Sequence, residues 1–153
     1  MSQYQLFYNL AYNLAEIAFS NDEVPVGAVI INDQTQELVS SSYNQMRINK
    51  SSLDHAEILA LQIAMKRVNN ERLTGCSIIT TLEPCPMCAQ AISFARLSNV
   101  VFSADDPKSG GILHGPKIFE SSSCHHKPNI VRISDDDKSK KLLKKFFKLK
   151  RKK

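Results

Sequence analysis

Two short motifs about thirty residues apart, His55-Ala56-Glu57 and Pro84-Cys85-Pro86-Met87-Cys88, constrain this chain more than anything else in it. Cys85 and Cys88 are spaced i, i+3, so at the start of a helix both sulfurs reach one point. Pro84 and Pro86 suit such a start, because donors in the first helical turn have no intrahelical partner for a proline to remove. His55 falls at the start of a different helix. Any fold that uses the three side chains together must bring the beginnings of two helices to one place.

The periodicity supplies the frame. An apolar stripe of Leu6, Leu10, Leu14 and Ile17 predicts a helix over 2–20, with Tyr4, Tyr8 and Tyr12 at the edge of the core. Residues 24–31 are a nearly continuous apolar run ending at the Asn32-Asp33 turn signal, and 38–43 reads as its hairpin partner. Pro25 belongs at the strand's beginning. A helix follows over 55–69, with Ile58, Leu61, Met65 and Val68 on one face. Next come a strand over 77–82, a helix over 86–97, a strand over 100–104 and a long loop over 105–128. A strand over 129–133 and a basic helix over about 135–153 complete the chain. Without an internal repeat or linker, this order predicts one domain spanning 1–153. Its expected fold class is α/β, a three-layer α/β/α sandwich around a mixed, about five-stranded sheet.

The donor set fixes the chemistry. His55, Cys85 and Cys88 are three protein ligands that leave a fourth position open, the pattern of a catalytic rather than a structural zinc. A helix N-terminus and a metal both favour the thiolates zinc needs. Zinc lowers the pKa of a bound water toward neutrality, and Glu57 is placed to take that proton and pass it on. Residues i and i+2 do not share a helix face, but at an open first turn both can lean over the end. Taken singly, Cys-x-x-Cys also fits a redox or structural half-site, and Glu57 three residues after Asp54 has capping-box spacing. Cys76 reads as packing, His114 as loop surface, and Cys124, His125 and His126 as a loop near the pocket mouth.

Charge separates the ends of the chain. Residues 138–153 hold ten basic side chains and no acidic one, while the remainder carries ten basic against fifteen acidic. The net +5 therefore belongs to the tail, which calls for a polyanionic partner. Leu142, Leu143, Phe146 and Phe147 form one apolar face on that helix, expected to dock on the domain. No apolar run approaches the roughly 18 residues of a membrane span, and the start lacks a secretory pattern. Four cysteines are too few for a disulfide framework, so a reducing cytoplasm and no membrane partner are expected.

The sequence resembles the cytidine deaminase superfamily and, more narrowly, the bacterial tRNA-specific adenosine deaminases. The resemblance rests on Glu23-Val24-Pro25-Val26-Gly27-Ala28, Asn44, His55-Ala56-Glu57, the run from Thr81 to Ala89, Ala104-Asp105-Asp106-Pro107-Lys108, and the Phe146-Phe147 helix with its basic end. It implies one Zn2+ per subunit on His55, Cys85 and Cys88, with Glu57 as proton shuttle. The implied reaction is hydrolytic deamination of the wobble adenosine (position 34), in tRNA-Arg, to inosine. Asn44 and Val26 would meet the base. Asp106, Lys108, Phe147, Lys150 and Arg151 would meet the anticodon stem-loop, and the enzyme would be a homodimer. The alternative within the superfamily is deamination of a free base or nucleoside, guanine or cytosine. A third possibility is a structural zinc module with a membrane- or RNA-binding tail. Two departures stand out: Ser52-Leu53-Asp54 replaces the family's usual Pro-Thr-Ala, and 110–129 diverges from the better-known bacterial sequences.

Overall fold

A computed structural model describes residues 3–152. Ser2, read into the first helix, and Lys153, the last cation of the tail, lie outside the described residues. The elements are α1 (Gln3–Ser20), β1 (Gly27–Asn32), β2 (Leu38–Tyr43), α2 (Ala56–Val68), β3 (Cys76–Leu82), α3 (Pro86–Phe94), β4 (Asn99–Ala104), a single 3-10 turn (Ile118–Glu120), β5 (Asn129–Arg132) and α4 (Lys138–Arg151). The strands form one sheet in the order β2-β1-β3-β4-β5. β1 is antiparallel to β2 and β3, whereas β3, β4 and β5 run parallel. The fold is the expected three-layer α/β/α sandwich.

Alternate residues of the central strands feed two cores. Ala28, Ile30, Ile78, Val100 and Phe102 pack with Ala60, Leu61 and Ile92 of α2 and α3. Val29, Ile31, Ile79 and Val101 pack with Tyr8 and Ala11 of α1. A sheet covered on both faces needs apolar residues in both sets, which is why these strands read as unbroken runs.

The helix faces differ from the sequence reading. On α1, Tyr8, Ala11, Ala15 and Ala18 are buried, while Leu6 and Ile17 are exposed. The cause is close approach: a Cβ on Gly27 would meet the Ala11 carbonyl oxygen at 1.9 Å. Alanines and a glycine allow a separation that a leucine stripe would not. On α2, Ala56, Ala60, Leu61 and Ala64 are buried and Val68 is exposed. Two boundaries also move. Val26 N–H bonds the Val24 carbonyl at 2.9 Å, so the chain curls around Pro25 and pairing begins at Gly27. α3 stops at Phe94, with Arg96 in the left-handed region at φ 63°.

The basic helix needs anchoring, because an isolated helix of this length is marginal in water even without like-charge repulsion. Phe146 supplies one anchor, buried edge-on against Phe19 of α1 with centroids 5.9 Å apart. The other is polar. Asp135 accepts hydrogen bonds from the Tyr8 hydroxyl, from Ser139 N–H at 3.0 Å and from Ser139 Oγ at 2.7 Å. Burial pushes the Asp135 carboxyl up, but these bonds and one from Ser103 outweigh it and hold the group below its ordinary range. The expected four-residue apolar face is therefore divided: Phe146 faces the body, and Phe147 stays 43% exposed.

Candidate active site and its adjoining groove

His55 is the N-cap of α2, with φ −67° and ψ 153°, and Glu57 is the second residue of that helix. The extended N-cap lets both side chains hang over the open end of α2, which removes the i, i+2 difficulty. Cys85 is the N-cap of α3, Pro86 opens the helix, and Cys88 lies in its first turn. Parallel pairing of β3 with β4 ends at Leu82 opposite Ala104, and the turn beyond Leu82 delivers Cys85 to the mouth of α2.

His55 Nδ1 lies 3.6 Å from Cys85 Sγ and 3.4 Å from Cys88 Sγ. All three donor atoms fall within 4.8 Å of one another. Zn–S and Zn–N bonds of ordinary length at tetrahedral angles put sulfur and nitrogen about 3.5 Å apart. The donors are thus already spaced as three corners of a zinc tetrahedron, and the residues present fit that ion. The hydrogen bond from Cys88 holds Cys85 down at about 4, and that bond together with burial pushes Cys88 up. Burial likewise pushes the Glu57 carboxyl above its usual range.

His55, Glu57 and Cys85 open onto a cavity of about 150 Å³, walled by Val26, Asn44, Leu82 and Asp106 among others. Pockets for drug-sized ligands span roughly 300–1,000 Å³, so this cavity takes a single flat ring system and leaves the rest of a nucleotide outside. Asn44 accepts the Ala56 N–H on its Oδ1 at 2.9 Å. That bond fixes the amide and leaves its NH2 as the group available to a ligand.

Val24, Leu82, Asp106 and Ser109 wall this cavity and also a second groove of about 520 Å³. That groove runs between the 105–109 loop and α4, lined by Lys108, Lys140, Lys144, Phe147 and Arg151. Val26, Asn44, His55, Glu57, Cys85 and Asp106 thus meet in the cavity, and Lys108, Phe147 and Arg151 meet in the groove. Lys150 lines neither. It pairs with Asp22 and lies over the Phe146 ring at 5.4 Å.

Two readings of the long loop are corrected. His114 is not simple loop surface, because its Nδ1–H donates to Glu83 Oε1 at 2.8 Å. Cys124 and His126 do not border the pocket. They close the far end of α3, where Ser93 Oγ donates to the His126 carbonyl at 2.6 Å and His126 Nε2 donates to the Leu97 carbonyl at 2.6 Å. His125 belongs to the same end, its carbonyl facing Arg96. Cys76 is core packing, as read. Sequence reasoning assigned nothing to Glu83, a fully buried carboxylate. Its only signal was an acidic residue at the end of an otherwise uncharged buried strand.

The family model for the cytidine and deoxycytidylate deaminase zinc-binding region matches residues 1–104. A tRNA-specific adenosine deaminase of Rickettsia bellii (strain RML369-C) is 41% identical over 90% of this chain and 95% of its own. Among solved structures, one from work on A-to-I editing by tRNA:A34 deaminases at the wobble position of transfer RNA superposes with TM-score 0.83. It is 38% identical and covers 86% of this chain and 100% of its own. A guanine deaminase from Nitrosomonas europaea shares the fold, with TM-score 0.73 at 18% identity over 91% of this chain and 81% of its own. Identity at this level over nearly the full length of both chains, on a common three-layer fold, makes this chain an enzyme of the tRNA-specific adenosine deaminase family within the cytidine deaminase superfamily.

Proposed function

We propose that the chain hydrolyses the exocyclic amine of the wobble adenosine, position 34, in a tRNA anticodon, tRNA-Arg by family resemblance, giving inosine and ammonia. The observation that carries this reading is a base-sized cavity opening into a basic groove with which it shares four wall residues. Single-stranded loops present bases that can be splayed out at modest cost. A base in the cavity leaves its sugar and flanking phosphates beside Lys108, Lys144 and Arg151.

His55, Cys85 and Cys88 would hold one zinc ion per subunit. When bound, zinc supplies Lewis acidity and a water acidic enough to be a nucleophile at neutral pH. Glu57, 4% exposed and on the same cavity, takes the first proton of the attacking water and delivers it to N1 of adenine, then takes the remaining hydroxyl proton at C6 and gives it to the amine as the C6–N bond breaks. Val26 packs on the ring, and the Asn44 NH2 donates to it.

The test is turnover of an anticodon stem-loop carrying adenosine 34, against free adenosine, cytosine and guanine. Ammonia release from the stem-loop with no detectable release from the free compounds is expected. Equal or faster turnover of a free base would defeat the reading. A cytoplasmic location follows from a tRNA substrate. Among the described residues, no helix is long and apolar enough to cross a membrane.

A homodimer is part of the proposal. Phe94, at the end of α3, is 72% exposed beside a groove formed with Ile58, Leu61, Met65 and Ala91. Covering a phenylalanine gains about 1.5–3 kcal/mol, and a carboxylate there would be penalised. Phe94→Asp should weaken self-association about 10- to 100-fold, read by sedimentation equilibrium. An unchanged dimer would place the interface elsewhere.

A further inference from the structure

The loop after β4 carries Asp106 and Ser109 on the cavity wall and Lys108 in the groove, yet it has no regular secondary structure up to Ile118. Its order has an identifiable source. Glu83 lies between β3 and Cys85 with a fully buried side chain. Its two oxygens accept the backbone N–H groups of Asp106 at 3.0 Å, Ile112 at 3.1 Å, Leu113 at 2.9 Å and His114 at 3.2 Å. The His114 side chain adds a fifth bond from Nδ1 at 2.8 Å. The chain can come this close only through glycines. A Cβ on Gly110 would sit 2.3 Å from Glu83 Oε2, and one on Gly111 would sit 2.5 Å from Pro86 N.

The other side of the loop is held from the tail. Asp105 pairs with Lys140 of α4 at 3.2 Å, and His114 Nε2 lies 3.8 Å from the same Asp105 carboxylate. His114 therefore stands between the carboxylate beside the Cys85 turn and the carboxylate that binds the basic helix.

We infer that His114 is a positioning residue for RNA. By bonding Glu83 and facing Asp105, it fixes the 105–114 loop so that Asp106, Lys108 and Ser109 meet the nucleotides flanking the deaminated base. This rests on the tRNA reading above. It touches neither the proton shuttle nor the metal donors, so its loss falls on substrate capture. Its 30% exposed side chain can be removed without opening a core cavity. Four backbone donors remain on Glu83 when it goes, so the loop loosens rather than unfolds.

The experiment compares wild type, His114→Ala and His114→Asn on the anticodon stem-loop, with zinc content and Tm measured in parallel. Asparagine can place an N–H close to the Nδ1 position, so it retains the bond to Glu83. For His114→Ala, KM should rise about tenfold with kcat within twofold of wild type. Zinc content should be unchanged, and hydrogen exchange at Ile112 and Leu113 should be faster. His114→Asn should stay within about threefold of wild type in KM. If His114→Ala leaves KM unchanged, if kcat falls instead, or if asparagine behaves as alanine does, the inference is wrong. Wild type that fails to turn over the stem-loop defeats the tRNA reading instead, so the two failures are distinguishable.

Discussion

Glu57→Gln should lose deamination by at least about 10³-fold while keeping its zinc. General acid–base groups contribute about 10²–10⁴-fold, and in the proposed mechanism one carboxyl serves both the attacking water and the base. Glutamine preserves shape and hydrogen bonding but cannot carry the proton. The donors are untouched, because the three atoms that meet within 4.8 Å belong to His55, Cys85 and Cys88. Metal analysis of the variant should therefore match wild type. Cys88→Ala is the complement: it removes a tetrahedron corner, and both metal and activity should go. Retained turnover in Glu57→Gln would rule out the proposed shuttle. Loss of metal in that variant would mean the carboxylate is a ligand, contrary to the geometry. Burial raises the Glu57 carboxyl above its ordinary range, so the protonated form persists to higher pH than for a solvated glutamate. As pH falls, the base form needed to accept the water's proton is lost at a higher pH than it would be for a solvated glutamate, so kcat should decline on the acid side from above the ordinary carboxylate range.

The site was legible because its information is local. His-x-Glu and Pro-Cys-x-x-Cys each place their candidate donors by spacing at a helix start, and a helix end is where both motifs gain reach. The layer order was legible because apolar runs and periods report it directly. The helix faces were not. Large apolar residues suggested where α1 turns, whereas Ala11 and Gly27 decide it through a backbone approach that no side-chain pattern expresses. The loop after β4 was opaque for a similar reason. Its organiser, Glu83, lies more than twenty residues upstream and holds it through backbone N–H groups, whose mark on residue identity is confined to the Gly110-Gly111 close approach. His114 looked like surface because its partner is remote in sequence. The tail's composition promised a polyanion partner, but composition did not show that Phe146 and Phe147 divide between the body and the groove.

That division gives the second large effect. Four cations line the groove beside the cavity: Lys108, Lys140, Lys144 and Arg151. For single-stranded nucleic acid, each neutralised phosphate contributes about −0.7 to the slope of log K against log salt. Lys140 is engaged by Asp105, so three contacts give a slope of about −2, and raising salt from about 50 to 200 mM should weaken stem-loop binding about 20-fold. Lys144→Gln combined with Arg151→Gln should cut the slope to about −0.7, leaving only about a threefold loss over the same salt step. Both side chains lie on α4 away from its anchors at Asp135 and Phe146, so fold and zinc content should not change. Phe147 acts differently. Its exposed ring offers a stacking surface, and a base stacked on an aromatic is worth about 1–3 kcal/mol. Phe147→Ala should therefore lower affinity at every salt concentration without altering the slope. If the double variant keeps the wild-type slope, the polyanion does not lie in this groove, and the tail's cations serve some other surface. A slope that falls while Phe147→Ala has no effect would keep the RNA in the groove but remove the stacked base.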